Sequence, residues 1–125
     1  MEADHRQRLG ELGEALASDH LEARGYSVIE RNFRTRYGEL DLVVADARSL
    51  VFCEVKSRVG RTAGIGPLAA VGPAKRGQVR RMARQWLAER GSAGPRPPEM
   101  RFDAIGITLD RHGRLVELDH VEGAF

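Results

Sequence analysis

Glu54 interrupts the run Leu50-Val51-Phe52-Cys53 and Val55, a stretch apolar enough to be buried on both faces. Asp41 stands in the same way between Leu40 and Leu42-Val43-Val44. Burying a carboxylate without a partner costs several kcal/mol, so each implies a compensating cation, metal or function. Side chains two apart on a strand share a face, which aligns Glu39 with Asp41 and Glu54 with Lys56. A short turn between the two stretches makes them antiparallel neighbours, so both sets can converge on one face. Two or three carboxylate oxygens form a hard, oxygen-only site suited to Mg²⁺ or Mn²⁺. A metal held there polarises a phosphate and lowers the pKa of a bound water. A lysine ammonium beside it orients the nucleophile or offsets charge in the transition state. Asp41, Glu54 and Lys56 are therefore the candidate catalytic set for phosphodiester hydrolysis. The same residues admit a plainer reading, a salt-bridged sheet in which Lys56 and Arg58 neutralise Asp41 and Glu54.

The elements that must position these groups are legible from periodicity and breakers. Residues 4–24 read as a helix, with Leu9, Leu12, Leu16, Ala17 and Leu21 at three-to-five-residue intervals and Gly25 as a stop. Gly10, Gly13 and Ala17 give this helix a small face able to approach other backbone closely. Strands are expected over 26–34, 39–45 and 50–56, the last two joined by an Asp46-Ala-Arg-Ser turn. Residues 59–73 hold four glycines and two prolines and suit a long, mobile surface loop. A second helix runs from about Pro73 to Arg90, its buried stripe Val79, Met82/Ala83 and Trp86/Leu87. After the turn-rich segment 91–98, strands over 101–108 and about 114–121 close the chain across a turn at Asp110–Gly113. The order is α-β-β-β-α-β-β, an α/β or α+β sheet flanked by helices. At 125 residues the chain fits a single domain, 1–125.

Composition removes several function classes. One cysteine, Cys53, excludes an internal disulfide framework and fits a reducing cytoplasm. It points opposite Glu54, as core and not as a nucleophile. His5, His20, His112 and His120 have no spacing that marks a metal site or a triad. The N-terminus lacks the apolar region of a signal peptide, and no apolar run is long enough to span a membrane.

The net charge of +2 conceals a strong asymmetry. Residues 1–30 carry −4, residues 31–90 carry +8 and residues 91–125 carry −2. A basic middle is the electrostatic pattern of phosphate binding. Arg76, Arg80 and Arg84 fall at i, i+4 and i+8 on the second helix, either a phosphate-tracking ridge or an ordinary solvated face. Lys75 opens that helix, where the helix N-terminus adds a field favourable to phosphate. With Arg58, these are the expected nucleic-acid contacts.

Beyond the short D-x(n)-E-x-K core, a longer series of motifs runs through the chain. It comprises Gly10-x-x-Gly13-Glu14, Leu21, Gly25-Tyr26, Asn32-Phe33-Arg34, Gly38-Glu39-Leu40-Asp41-Leu42 and Phe52-Cys53-Glu54-Val55-Lys56-Ser57-Arg58. Gly66-Pro67, Lys75, Ala83, Trp86-Leu87, Arg101-Phe102-Asp103 and Ala124-Phe125 continue it. Together they resemble the YraN family of small bacterial proteins over essentially the whole chain. That family is similar to the PD-(D/E)XK nucleases, in particular archaeal Holliday-junction resolvases. The resemblance implies a restriction-endonuclease-like mixed sheet flanked by helices. It makes Asp41 and Glu54 metal ligands, Lys56 the catalytic lysine and Glu14 the acidic helix residue that completes the metal site. Position 40 departs from the pattern, with Leu in place of the proline of the superfamily's name. Glu39 reads as a supporting group or a solvated strand end, and Asp103 as a partner for arginine. The activity implied is metal-dependent cleavage of DNA, including branched or otherwise structured DNA. The alternative is an inactive nucleic-acid-binding module that keeps the nuclease fold. Resolvase-like relatives pair as dimers, which makes a homodimer the implied assembly.

Overall fold

The computed structural model describes residues 2–60, 73–90 and 97–124. The segment expected as a surface loop lies outside these at 61–72, as does most of the 91–98 turn region. Gly66-Pro67 and Phe125 therefore lie outside the described residues too. Seven elements follow in the expected order: α1 (Glu2–Ala23), β1 (Ser27–Thr35), β2 (Gly38–Ala45), β3 (Ser49–Val59), α2 (Pro73–Arg90), β4 (Glu99–Leu109) and β5 (Leu115–Val121). The strands form one sheet in the order β1-β2-β3-β4-β5. Three pairings are antiparallel and β3–β4 is parallel, so the sheet is mixed. A parallel pair needs a crossover, and α2 lies within it.

Each helix covers one face, which explains the two apolar faces of the central strands. Ala17 and Leu21 of α1 pack on Leu42, Val44, Val51, Cys53, Val55, Ile105, Ile107 and Leu109. Val79, Met82, Ala83 and Trp86 of α2 pack on Leu40, Val43, Leu50, Phe52 and Phe102. The expected α2 stripe is thus the buried one, while on α1 Leu12 remains exposed. Gly25 ends α1 with φ +93°, a left-handed conformation that glycine adopts without a Cβ clash. Gly13 has a different reason: a Cβ there would overlap Ser57 Oγ, so its absence seats α1 directly against β3. Gly10, by contrast, faces open space and takes no part in that approach.

The β2–β3 turn forms through Asp46, whose Oδ1 accepts from Arg48 N at 2.9 Å and Ser49 N at 2.7 Å. Beyond it the ladder runs only as far as Leu42 opposite Cys53. The strands then part. Alternation in β2 also breaks here, because Leu40 packs toward α2 whereas Leu42 packs toward α1. Between Leu40 and Leu42, which pair with Phe33 and Arg31, Asp41 falls opposite Asn32. Asn32 has φ +52°, so the edge strand turns at the same point.

Candidate acidic site

Asp41 and Glu54 are the first residues past the end of the β2–β3 ladder. There a backbone N–H of β3 would lack a partner from β2, and Asp41 supplies one: its Oδ2 accepts from Val55 N at 2.7 Å. The carboxylate thereby bridges the parting strands and is fixed in place. Glu39 precedes it on β2, held at its rim by Arg34 at 3.2 Å. Glu14 arrives from α1, one residue after the Gly13 contact, and accepts a hydrogen bond from the Asn32 side chain. One oxygen each from Glu14, Glu39 and Asp41 lies within 4.8 Å of the others, the donor set of a hard cation.

Glu54 is only 3 % exposed, and it follows Phe52 on the α2 side of β3. Its Oε1 receives Lys75 at 2.9 Å and Lys56 at 3.5 Å. Its Oε2 is buried with no hydrogen-bond partner among the described residues. A buried carboxylate oxygen without a partner is costly, and here Glu54 also repels Asp41. Burial first, then repulsion from Glu54, pushes the Asp41 pKa up to about 8; the Val55 N–H opposes this and Glu14 and Glu39 add to it. Burial also raises Glu14, which Asn32 offsets and Glu39 reinforces. Crowded carboxylates with raised affinity for positive charge fit a divalent cation.

The structure sets Glu14 and Asp41 together with Glu39, and it places Glu54 beside Asp41 with Lys56 on it. Glu54 itself lies outside the three oxygens within 4.8 Å of one another. The spacing of Glu39 and Asp41 on β2 points to Glu39, although alternation itself breaks between Leu40 and Leu42. Lys75, expected among nucleic-acid contacts, lies on Glu54 and apart from the arginine row. The plainer salt-bridge reading holds for Glu54 and Lys56, but through Lys75 and not through Arg58. Arg58 is half-buried, its Nε without a partner among the described residues. Arg76, Arg80 and Arg84 are exposed along α2, with Arg80 over the Phe102 ring at 4.9 Å.

A matching profile of the Uncharacterised protein family UPF0102 spans residues 13–107, which include every acid and both lysines of the site. The chain belongs to the UPF0102 family. A UPF0102 protein of Parafrankia sp. (strain EAN1pec) is 46 % identical, aligned over 95 % of this chain and 97 % of its own. The UPF0102 protein of Pelotomaculum thermopropionicum is 42 % identical over 98 % of this chain and 99 % of its own. That of Streptomyces griseus is 46 % identical over 94 % and 96 %. These matches support the YraN resemblance read from the motifs.

A second polar cluster escapes sequence reasoning in this UPF0102 chain. Asp103 is fully buried and is gripped by Arg101 at 2.8 and 3.0 Å and by Gly123 N at 3.0 Å. The arginine partnership matches expectation. His120 Nε2 also meets Asp103 Oδ2 at 2.8 Å, and His120 Nδ1 shares a hydrogen bond with His20 Nε2 at 3.0 Å. This chain ties the end of α1 to β4 and β5. Cys53 is core, its thiol pushed up by burial, and it is no nucleophile at neutral pH. Trp86 is core as well, its Nε1 donating to Glu30 at 3.1 Å. No helix among the described residues is long and apolar enough to cross a membrane.

Proposed function

We propose that this UPF0102 protein hydrolyses phosphodiester bonds of DNA with Mg²⁺ or Mn²⁺, as a member of the PD-(D/E)XK nuclease type, on branched or otherwise structured substrates. The observation that carries this reading is the pair of buried acids at the parting of β2 and β3, with a lysine beside them and Glu54 Oε2 without a partner among the described residues. Glu14, Glu39, Asp41 and Glu54 are the residues that would hold the ion. A bound divalent cation supplies a polarised phosphate and a water of lowered pKa. The chain's own groups do the rest. Asp41, pinned by Val55 N–H, and Glu14, pinned by Asn32, keep the acids in fixed positions before substrate arrives. Lys56 is 42 % exposed, held near Glu54 yet open to solvent, so its ammonium can face a phosphate and oppose the charge that develops there. The basic middle of the chain, with Arg76, Arg80 and Arg84 exposed on α2, supports a polyanionic substrate.

The test is a cleavage screen over branched, nicked and linear DNA with Mg²⁺ and Mn²⁺, run beside Lys56→Ala. Wild type should cleave at least one substrate, and Lys56→Ala should be slower by about a hundredfold or more with little change in DNA affinity. DNA binding without cleavage of any substrate would favour the inactive binding module. Equal rates for the two proteins would remove Lys56 from the mechanism.

A further inference from the structure

We propose that Lys75 is a resident counter-ion at Glu54, and that a divalent cation must displace it to engage that carboxylate. The inference rests on the metal-dependent reading and adds a control to the same site. Glu14, Glu39, Asp41, Glu54 and Lys56 come from α1, β2 and β3, whereas Lys75 comes from the first turn of α2. Its ammonium is the nearer of the two on Glu54 Oε1, 2.9 Å against 3.5 Å for Lys56. It is also the more buried, 26 % exposed against 42 %. At 2.9 Å this is a charge-assisted hydrogen bond to a carboxylate that is only 3 % exposed.

The arrangement is nevertheless incomplete. Both ammoniums crowd one oxygen while Oε2 has no partner among the described residues. A monovalent head tethered to a helix satisfies half of the carboxylate, and a divalent ion among the acids could engage the other half or both. Engaging Oε1 would sever the Lys75 bond, so ion affinity is a difference between two cations competing for one carboxylate. The displaced ammonium remains anchored at the helix N-terminus beside the site, where an anionic group is favoured. Entry of the ion thus releases a positive group toward incoming phosphate.

The experiment needs no nucleic acid. Mn²⁺ is titrated calorimetrically into the full chain, and thermal melts are recorded with and without Mn²⁺. The proteins are wild type, Lys75→Ala, Lys75→Arg, Glu54→Gln and the double variant Glu54→Gln/Lys75→Ala. Removing a charge-assisted competitor should tighten Mn²⁺ binding by about tenfold in Lys75→Ala and enlarge its Mn²⁺-induced rise in Tm. Lys75→Arg, which keeps a cation there, should stay near wild type. On the Glu54→Gln background the alanine should change nothing, because the contested carboxylate is gone. Should Lys75→Ala fail to fold without metal, Mn²⁺ should restore its circular dichroism; a chain that stays unfolded at saturating Mn²⁺ overturns the proposal. A folded Lys75→Ala that binds Mn²⁺ no more tightly than wild type overturns it alone. Absence of Mn²⁺ binding in both proteins overturns it together with the metal-dependent reading.

Discussion

Neutralising Asp41 should make the metal-free protein more stable, and by an amount that depends on pH. Asp41→Asn keeps the shape of the side chain and an oxygen to accept from Val55 N, while removing one of the crowded charges. Burial and the neighbouring acids raise the Asp41 pKa in the folded chain from an ordinary 3.8 to about 8. Between roughly pH 4 and pH 8 the folded chain therefore holds a proton that the unfolded chain has released. Since the native state binds more protons there, stability falls as pH rises through that window. Below pH 4 both states are protonated and the group contributes nothing; above pH 8 the penalty is full and flat. The slope cannot exceed one proton, about 1.4 kcal/mol per pH unit. Weakening of the charge-assisted Val55 bond takes back roughly 1 kcal/mol in the variant. Asp41→Asn should then exceed wild type by about a few kcal/mol at pH 9 and by little at pH 4. Urea unfolding in EDTA at pH 4, 7 and 9 measures both proteins. A stability difference that stays constant across the three pH values would refute the argument.

Gly13→Ala should cost about 1–3 kcal/mol, because the added methyl overlaps Ser57, and Ser57→Gly in the same chain should restore much of the loss in thermal melts. Arg76→Ala and Arg84→Ala should each reduce the steepness of log K against log salt by about 0.9 if they contact duplex phosphates, as read by DNA titrations at several salt concentrations. Asp103→Asn should destabilise by about 2–4 kcal/mol in urea melts, since it removes the nearer charge from the mostly buried Arg101 and leaves it only Glu122 at 3.9 Å. Burial, then His120, then Arg24 lower the His20 pKa, so the unfolded chain takes up a proton first and stability falls as pH drops below 6.5. His20→Gln should flatten that acid limb in the same melts.

Element order was legible because breakers and apolar periods agree: Gly25 ends α1, Asp46 builds the turn, and the Val79–Trp86 stripe is continuous. Asp41 and Glu54 were legible because a charge inside a buried run is conspicuous. Strict alternation, however, misplaces Leu40. The backbone turns at Asp41 opposite Asn32, and no pattern of residue types announces a positive φ at an asparagine. The partner of Lys75 was hidden for another reason. A helix start fixes where its Cα lies in sequence, while the acid it meets depends on how α2 docks on the sheet. His20 and His120 stand a hundred residues apart, so only the closed sheet brings them together.

The parallel β3–β4 ladder has a consequence for the order in which the site assembles. Ser49 pairs with Glu99 and Val59 with Leu109, so each rung spans α2 and both segments flanking it. The β1–β2–β3 meander, by contrast, closes between neighbours in the chain. Loop-closure entropy favours the short connections, and contacts of long sequence separation wait on the larger loop. Asp41 and Glu54 thus belong to the local, early-closing part of the topology. Lys75 belongs to the crossover that closes last. A chain that closes in that order brings the acids together before Lys75 arrives, with their like charge borne by protons, by Lys56 or by ions from solution.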